Sequence, residues 1–421
     1  LADEKFMDFS NDWMDEFKLR FSLGQTGNAA SGASLYLGSY ASGDNYMDMS
    51  AITPSTMQLN RLKWETTTEY NTGLDASFLK GKLRFTVDVY QKYIKDLLQK
   101  KVKMPTSIGY GNGYEVSYMN SGKMTNKGWE FRVDAVPFEN RDWRVGFYFN
   151  IAHNENKITE MPDNYTEENY TFNNGEYAYR REEGRPMGSF YGYRYKGVCQ
   201  NKDATYARDA DGNVMKDISG NAIVMRNGTA TIAPGDALYE DINHDGVINQ
   251  YDIVYLGNSN PRFTGGAGVN VSYKQFKLSA IFYGRYGQDV VNSTRLNNES
   301  MRGIDNQSTA VLRRWRNEGD QTDIPRALYG EGYNTLGSDR FVEDASYLRL
   351  KSLSFNYRLP KKIIQRWGFS NIDVYVTGYN LFTWTKYTGQ DPEVKTENTY
   401  ARDSATTPAS IQLVAGFNLS F

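Results

Sequence analysis

The chain ends on Ala409-Ser410-Ile411-Gln412-Leu413-Val414-Ala415-Gly416-Phe417-Asn418-Leu419-Ser420-Phe421, which alternates apolar residues with small or polar ones. A β-strand has a period of two, so one face of this strand meets an apolar surrounding and the other meets water. Outer-membrane β-barrels end on strands of this kind. The half-buried last strand of a soluble β-sandwich shows the same alternation. This stretch alone therefore predicts an amphipathic strand and leaves both fold classes open.

Composition narrows the choice of fold and function. The 421 residues include 32 Tyr and 38 Gly, and the mean hydropathy is -0.65. No run approaches the ~20 apolar residues of a membrane-spanning helix, whereas β-barrel strands need only alternating hydrophobicity. A formal charge of -2 argues against a nucleic-acid partner. The N-terminus shows no signal peptide, so we expect a mature form or a fragment of an exported protein.

Pairs of alternating segments joined by tight turns recur along the chain, which indicates antiparallel hairpins. They comprise residues 70–78 with 83–90, 129–135 with 143–151, 263–273 with 276–282, and 348–357 with 372–376. In the last pair Pro360 opens a short helical turn, and a slip of the apolar phase predicts a β-bulge near Lys351 and Ser352. Another strand at 17–23 and the terminal strand bring the total to about ten.

Long connections alternate with these short turns. They cover residues 25–61, 99–125, 154–261, 288–340 and 383–407. Such asymmetry is typical of transmembrane barrels, whereas the connections of a sandwich have similar lengths at both ends. The non-apolar phase carries many charges, which favours a wide, water-filled interior; they are Arg20, Arg84, Asp88, Glu130, Arg132, Asp134, Arg144 and Arg285. The barrel is the favoured fold.

The sharpest local motif lies at residues 241–252, in the 154–261 connection. It has the spacing of an EF-hand-type calcium loop, with a Gly at its sixth position. The predicted metal ligands are Asp241, Asn243, Asp245, Val247 through its carbonyl, and Asp252. Asp252 replaces the usual bidentate Glu, which implies weaker coordination. Asp and Asn also form turns without metal, and residues 209–213 are predicted to be a hairpin turn of that kind.

No constellation of residues predicts catalysis. The chain has two His residues and a lone Cys199, and no pair of carboxylates stands out among its 50 acids. We therefore expect a protein that is not an enzyme. Tyrosines crowd the long connections, where they either pack or contact ligand; they include Tyr110, Tyr114, Tyr118, Tyr177, Tyr179, Tyr191, Tyr193 and Tyr195.

Several motifs, taken in order, resemble the C-terminal part of the SusC/RagA family of TonB-dependent outer-membrane transporters. They are Leu62-Lys63-Trp64-Glu65-Thr66-Thr67-Thr68, Asp88-Val89-Tyr90, Lys95-Asp96-Leu97-Leu98, Asn126-Lys127-Gly128-Trp129-Glu130, the 239–252 segment with Gly257-Asn258-Ser259-Asn260-Pro261, Tyr347-Leu348-Arg349-Leu350-Lys351-Ser352-Leu353, Gly378-Tyr379-Asn380-Leu381-Phe382, Asp391-Pro392-Glu393 and the terminal strand. The resemblance covers nearly the whole chain.

The resemblance implies an all-β fold in the bacterial outer membrane, with residues 1–421 as the C-terminal portion of a 22-stranded barrel. It implies import of oligosaccharides or peptides, a SusD-like surface lipoprotein as lid, and energy from the TonB complex. The plug and the first half of the barrel have no counterpart here, so we expect them elsewhere. Residues 154–261 would form a long extracellular excursion stiffened by structural Ca²⁺, and the strands would contact outer-membrane lipid.

A second hypothesis comes from a different class of protein. A secreted, soluble β-sandwich that binds carbohydrate and uses calcium structurally would also combine alternating strands with the 241–252 loop. The two hypotheses differ in what covers the apolar faces of the strands. In the barrel these faces meet lipid, and in the sandwich they meet each other.

Overall fold

The computed structural model describes residues 13–32, 35–104, 106–110, 114–161, 175–179, 181–330, 333–364, 366, 368–394, 396–397 and 400–421. The N-terminal segment 1–12, where no signal peptide is expected, lies outside the described residues. Ten long strands of the described part form one antiparallel sheet. They are β1 (Met14–Asn28), β2 (Glu65–Phe78), β3 (Leu83–Lys95), β4 (Lys123–Glu139), β5 (Trp143–Glu160), β6 (Phe263–Tyr273), β7 (Phe276–Tyr286), β8 (Tyr347–Arg358), β9 (Asn371–Thr385) and β10 (Gln412–Ser420).

The ten strands pair strictly in chain order, β1 to β10, so the sheet is an uninterrupted meander. These ten strands are the ones that the sequence analysis predicted. Most strands are longer than the alternation indicated; β5, for example, continues to Glu160 rather than ending near Ile151. Polar residues at strand ends, such as those at 154–157, keep the backbone ladder with β4 although they break the apolar alternation. Hydrogen bonding of the backbone does not require apolar side chains.

Short and long connections alternate as predicted. The short ones are 79–82, 140–142, 274–275 and 359–370, and the last contains the helix Lys361–Ile364 after Pro360. The long ones are 29–64, 96–122, 161–262, 287–346 and 386–411. We call the two ends of the sheet the turn side and the loop side. The predicted bulge is present, because Leu350 and Ser352 pair with adjacent residues of β7, Phe282 and Ile281.

The long connections contain small sheets of their own. Hairpins form from Ser39–Tyr46 with Met49–Thr56 and from Leu98–Lys103 with Glu115–Asn120. In the 161–262 connection, Tyr195–Val198 pairs with Ala237–Tyr239, and Arg226–Asn227 pairs with both Ala230–Thr231 and Val247–Ile248. Ser189–Gly192 pairs with Val254–Asn258. A four-stranded sheet is centred on Asp289–Asn292, which pairs with Val342–Asp344 on one side and with Tyr400–Asp403 on the other. Tyr400–Asp403 in turn pairs with Thr396–Glu397.

Helical structure is sparse in the described residues. The second α-helix is Ser293–Asn298, and single 3₁₀ turns occur at Thr106–Ile108, Asp203–Thr205, Gln250–Asp252, Thr309–Arg313, Tyr333–Thr335 and Asp339–Phe341. Residues 308–317 mix apolar and basic side chains in a way that suits a short amphipathic helix, but only the 3₁₀ turn Thr309–Arg313 forms there. None of the described helices has the length and apolar character required to traverse a bilayer.

The described residues of the 161–262 connection, with part of 287–346, form a compact body, and from here on we call this body the excursion. Its core contains Tyr193, Cys199, Ile248 and Leu336, each 0–1% exposed, and other residues such as Tyr239. Burial raises the pKa of the Cys199 thiol to about 11. Burial thus disfavours the reactive thiolate form, and Cys199 serves as a core residue.

Candidate functional site: two faces of the sheet and the loops above it

One face of the sheet carries apolar side chains that nothing in the described structure covers. The register places Leu19 beside Leu74, Leu74 beside Val87, and Val87 beside Phe131 in a continuous row. On interior strands the same face exposes Phe355 by 46% and Val374 by 43%. Exposure of so large an apolar surface to water would be energetically unfavourable. We call it the apolar face.

Aromatic rings border the apolar face at both ends of the strands. On the loop side, ring centroids lie 5.2–6.5 Å apart along a row formed by Trp129, His153, Phe263 and Tyr286. On the turn side, Trp143 lies 4.3 Å from Tyr273 and Phe276 lies 4.7 Å from Tyr357. Phe263 and Tyr273 are ten residues apart on β6, which corresponds to a band of ~25 Å for a strand tilted like those of membrane barrels. The spacing matches the apolar band of a transmembrane barrel.

The opposite face carries the charged residues that the alternation predicted; we call it the polar face. Arg20 on β1 donates to Asp75 on β2 from Nε at 2.7 Å and to Asp88 on β3 from Nη2 at 3.0 Å. Arg132 binds Asp134 at 2.7 Å on β4. These side chains remain 21–56% exposed, so they face water and are not sealed in a core. A wide, wet interior accommodates such charges, and a narrow barrel does not.

The soluble-sandwich hypothesis is not supported. A sandwich requires two sheets whose apolar faces pack against each other. Here the ten strands form one sheet, and its apolar face is exposed.

The tyrosines of the long connections divide into two groups. Tyr177, Tyr179, Tyr191 and Tyr193 are buried in the excursion and its surroundings, at 9% exposure or less, so they pack and are not available to a ligand. Tyr110 and Tyr114 stack with their ring centroids 4.7 Å apart in the 96–122 connection. Packing therefore explains most of the tyrosines that the sequence singled out.

The predicted calcium loop closes on itself. Asp241 accepts hydrogen bonds from the backbone N–H of Gly246 at 2.7 Å and of Asp245 at 3.3 Å. Asp252 is 0% exposed and accepts from the N–H groups of Ile242 and Asn249, both at 2.8 Å. The side chains therefore hold a turn, which is the alternative that the sequence left open.

The other three predicted ligands, Asn243, Asp245 and Val247, belong to the same turn. Asn243 donates from Nδ2 to Asp245 Oδ2 at 2.9 Å, and the Val247 carbonyl accepts from Asn249 Nδ2 at 3.1 Å. Val247 and Ile248 also pair in parallel with Arg226 and Asn227, which ties the turn to the core. Among the residues with described positions, no three His, Cys, Asp or Glu side chains form a metal-binding group.

The donor set nevertheless has the chemistry of a calcium site. Three carboxylates, an amide oxygen and a carbonyl oxygen are the hard ligands that Ca²⁺ takes in such loops. Burial raises the pKa of the Asp252 carboxyl, and the negative charge of Asp241 adds to this effect. A cation would offset both costs, so the residues fit the metal.

Two related turns, each closed by an Asp side chain that accepts backbone N–H groups, lie outside the 241–252 loop. In the predicted turn at 209–213, Gly212 N–H donates to the Asp209 carbonyl at 2.9 Å, and Asp209 also accepts from the N–H of Asn213. A second turn of the same form, which the sequence analysis missed, links Asp217 to Asn221. The common Asp-x-x-Gly-Asn spacing was the signal that could have identified it.

A buried ion cluster, also missed, joins the last long connection to the polar face. Arg349 on β8 has a side chain only 3% exposed, and its Nη1 lies 2.9 Å from Glu393 and its Nη2 2.5 Å from Asp391. Lys351 lies 2.8 Å from the same Glu393. Asp391 also accepts from the N–H of Ala409 at 2.9 Å. The cluster thus fixes both ends of the 386–411 connection over the strands.

Comparison with known proteins agrees with this geometry. The family model for the β-barrel of TonB dependent receptor-like proteins matches residues 8–381. TonB-dependent receptor P3 of Formosa agariphila is 31% identical over 413 residues, covering 94% of this chain and 38% of the relative. TonB-dependent receptor SusC of Bacteroides thetaiotaomicron is 27% identical over 428 residues, covering 97% of this chain and 38% of the relative.

Solved structures show the same relationship. The RagAB peptide transporter matches with a TM-score of 0.72 and 27% identity, over 99% of this chain and 42% of that chain. The RagAB peptide importer in its closed-closed state matches with a TM-score of 0.75 and 25% identity. The chain thus spans about two fifths of the length of these relatives. The relatives carry receptor and transporter names and are not enzymes. The chain belongs to the TonB-dependent receptors of the bacterial outer membrane, as a SusC/RagA-like part of their β-barrel domain.

Proposed function

We propose that this chain forms the C-terminal part of an importer that takes up large nutrients, oligosaccharides or peptides, with energy from the TonB complex. The observation that carries the proposal is the division of the sheet into an apolar face bordered by aromatic rings and a charged, solvent-exposed face. The first suits lipid and the second suits a water-filled lumen. Strands from the remainder of a longer protein would pair with the free edges of β1 and β10.

The orientation in the membrane follows from the connections. Long loops of outer-membrane barrels face the outside and short turns face the periplasm. The excursion and the neighbouring long connections then surround the entrance, where ligand arrives. The choice between glycan and peptide stays open in this proposal, because side chains around the entrance determine it and both kinds of substrate fit a wide lumen.

A surface lipoprotein of the SusD type is the proposed partner at this entrance. The hairpin of Ser39–Tyr46 and Met49–Thr56 supports such a contact, since Tyr40, Met49 and Ile52 are 68–73% exposed. Exposed apolar clusters of this kind mark interaction surfaces. Purification of the tagged full-length transporter in mild detergent is expected to recover the lipoprotein. Replacement of Met49 and Ile52 by Ser is expected to reduce that recovery, and unchanged recovery would count against this contact.

Uptake in living cells tests the transport proposal. Cells with and without the full-length gene receive fluorescently labelled oligosaccharides or oligopeptides, with the TonB motor either intact or deleted. We expect uptake of one ligand class to require both the gene and the motor. Uptake that is equal with and without the gene, for both ligand classes, would refute the proposal.

We also propose that residues 241–252 bind one structural Ca²⁺, which stiffens the excursion and takes no part in chemistry. The proposed ligands are Asp241, Asn243, Asp245, the Val247 carbonyl and Asp252. Calorimetry of the purified full-length protein is expected to show calcium binding that Asp241→Ala abolishes. Asp217→Ala is the matched control, because it removes a carboxylate from a similar turn outside the loop. The absence of any heat with calcium in the unchanged protein would remove this assignment.

A further inference from the structure

The apolar face of the sheet contains an open groove of about 680 Å³ near the loop side. Its floor lies where Gly265 on β6 pairs directly with Gly284 on β7. Neither residue has a side chain, so the surface of the sheet is recessed at this point. The volume is within the range of sites that hold small ligands. The groove contains no residue of the calcium loop and is a separate candidate site.

Aromatic and aliphatic side chains form the walls of the groove. Phe263 and Tyr286 lie at its loop-side end, with ring centroids 6.5 Å apart. Ala267 pairs with Phe282 at the other end, and the Phe282 ring lies 6.4 Å from that of Trp384. The other apolar wall residues are Phe149, Ile151 and Leu348. Because Tyr286 is 61% and Trp384 52% exposed, the groove opens to the surroundings of the sheet.

The protein itself leaves the groove unfilled. On the polar face, by contrast, the Tyr148 ring occupies the space that a Cβ of Gly268 would need. In the described structure, the nearest atoms to the same position at Gly265 and Gly284 include no aromatic ring. Atoms that line an unfilled recess lack dispersion contacts on one side. A ligand of complementary shape would supply those contacts.

The position of the groove indicates which ligand reaches it. In an outer-membrane barrel the apolar face meets lipid, so acyl chains surround the groove. Lipid tails are as apolar as the groove, and close packing therefore decides which chain stays bound. With the loop side outside, the groove lies in the outer leaflet. The main lipid of that leaflet in bacterial outer membranes is lipid A, an acylated disaccharide that carries phosphate groups.

The loop-side rim of the groove offers a cation to such a headgroup. Lys386 directly follows β9, lines the groove and is exposed. Among the residues with described positions, no carboxylate forms an ion pair with it. Asp344 on the same rim accepts hydrogen bonds from the N–H of Ser346, at 2.8 Å, and from the Ser346 hydroxyl. Its charge is thus partly satisfied, and Lys386 remains available to an anion.

We propose that this groove binds one acyl chain of a lipid A molecule, with a phosphate of the headgroup at Lys386. The chain lies over Gly265 and Gly284, and the rings of Phe282 and Trp384 pack against it. The inference goes beyond the proposed function, because it concerns the surrounding membrane and not the imported ligand. It rests on that proposal only for the orientation, which places the loop side outside.

The test uses the full-length transporter purified in a detergent that removes loosely bound lipid. The protein is titrated with lipid A and, in parallel, with phosphatidylethanolamine. Native mass spectrometry counts the lipid molecules retained on each protein and gives their affinity. We expect one lipid A molecule to bind at least tenfold more tightly than phosphatidylethanolamine.

A variant that fills the groove tests the acyl-chain contact. Ala267→Trp adds a ring at the end of the floor and is expected to lower the affinity for lipid A at least tenfold. Substitution of the glycines is less suitable, since a Cβ at Gly284 would meet the Tyr347 carbonyl oxygen at 2.7 Å. Ala135→Trp is the matched control, because it adds the same ring to a half-buried alanine of the apolar face on β4, outside the groove. The control should leave the affinity unchanged.

A second variant tests the headgroup contact and does not depend on the first. Lys386→Gln is expected to weaken lipid A binding about fivefold, which is the usual contribution of one cation at a membrane surface. Lipid A without phosphate should show the same loss on the unchanged protein and no further loss on Lys386→Gln. Lys361→Gln removes an exposed cation on the turn side and should have no effect. Heat-modifiable gel migration verifies folding of each variant.

Three outcomes would overturn the lipid site. They are lipid A binding that Ala267→Trp leaves intact, an equal loss with Ala135→Trp, and binding of phosphatidylethanolamine as tight as that of lipid A. Unchanged affinity after Lys386→Gln would exclude the phosphate contact. Failure of the transport proposal is recognised separately, because it appears as uptake that does not depend on the gene.

Discussion

The ten-stranded sheet and the excursion above it place their apolar residues in opposite ways. The sheet exposes Leu19 by 60% and Phe355 by 46% and gathers charges such as Arg20 on its other face. The excursion buries Ile248 and Leu336 completely, as a water-soluble domain does. One chain therefore follows two rules because its parts meet two solvents: hydrocarbon around the strands and water around the loops. An apolar side chain is therefore favoured on the outer surface of the sheet, whereas in the excursion it is favoured only in the core.

Truncation of a core side chain should have the largest effect on stability, and this effect should distinguish the excursion from the sheet. Leu336→Ala is expected to destabilise the excursion by about 2–5 kcal/mol, because it leaves a cavity in a packed core. Leu278→Ala, on the exposed apolar face, is the matched control and should cost much less. Hydrogen exchange of peptides from the excursion and from β7 measures both. Equal costs at the two sites would contradict the two-solvent interpretation.

A charged residue placed on the apolar face tests whether this face of the sheet meets hydrocarbon. Val269 lies near the middle of β6, on the phase of Phe263 and Tyr273. Val269→Arg is expected to cost about 2–4 kcal/mol in a bilayer, since it exposes a cation to hydrocarbon. Asn270→Arg, one residue further on the polar face, should be tolerated. Denaturant titration in lipid vesicles compares them, and a tolerated Val269→Arg would mean that this face does not meet lipid.

The ion cluster joins the two regions, and its removal should have an intermediate effect. Arg349→Met leaves Asp391 and Glu393 without their main cation and is expected to cost about 2 kcal/mol, since both carboxylates are partly exposed. The 386–411 connection should then become sensitive to protease while the strands stay protected. Arg358→Met removes an exposed pair with Asp373 on the turn side and serves as control. Unchanged protease resistance after Arg349→Met would show that other contacts hold the connection.

The smallest effect is expected at Asp252 in calcium-free buffer. Burial raises its pKa, so its contribution to stability is greatest below the pKa of the unfolded chain, about 3.9, and is lost as pH rises through the folded pKa. Asp252→Asn removes the buried charge but also one acceptor for backbone N–H groups. These effects oppose each other, so the change at neutral pH without calcium should stay within about 1 kcal/mol.

Calcium then gives the decisive comparison at the same residue. At about 100 times its Kd, calcium should stabilise the unchanged excursion by about 2.7 kcal/mol and the Asp252→Asn variant by far less. Hydrogen exchange of residues 222–252, with calcium and with chelator, measures the difference. An equal response of both proteins to calcium would exclude Asp252 as a ligand.

The strands were predictable from sequence to a degree that the excursion was not. Alternation at period two identified β1 to β10 and the bulge near Lys351 and Ser352, because a local pattern suffices where each strand pairs with its sequence neighbour. The alternation stopped short at the strand ends, such as 154–160, where only the backbone ladder continues. In the excursion, short strands of two to five residues pair across long separations, as Arg226 does with Val247. No local pattern encodes such pairings.

The candidate sites divide in the same way. The calcium-type loop is contiguous, so its spacing was visible, and its occupation stays a prediction. The Arg349 cluster joins positions about 42 residues apart, and the Asp236–Arg326 ion pair joins two segments of the excursion that are 90 residues apart. Single residues in either site have ordinary sequence surroundings. Sequence analysis named Arg349, Asp391 and Glu393 in two separate motifs, but it gave no signal that these residues meet.

The sequence by itself determined a meander of amphipathic strands, the side on which its loops lie and the faces that carry charge. A period of two and a short turn fix these features within a few residues of chain. The tertiary structure decided which tyrosines are buried, which carboxylates pair with Arg349 and that Asp236 pairs with Arg326. Those outcomes depend on packing between distant segments, and packing is a property of the folded chain as a whole.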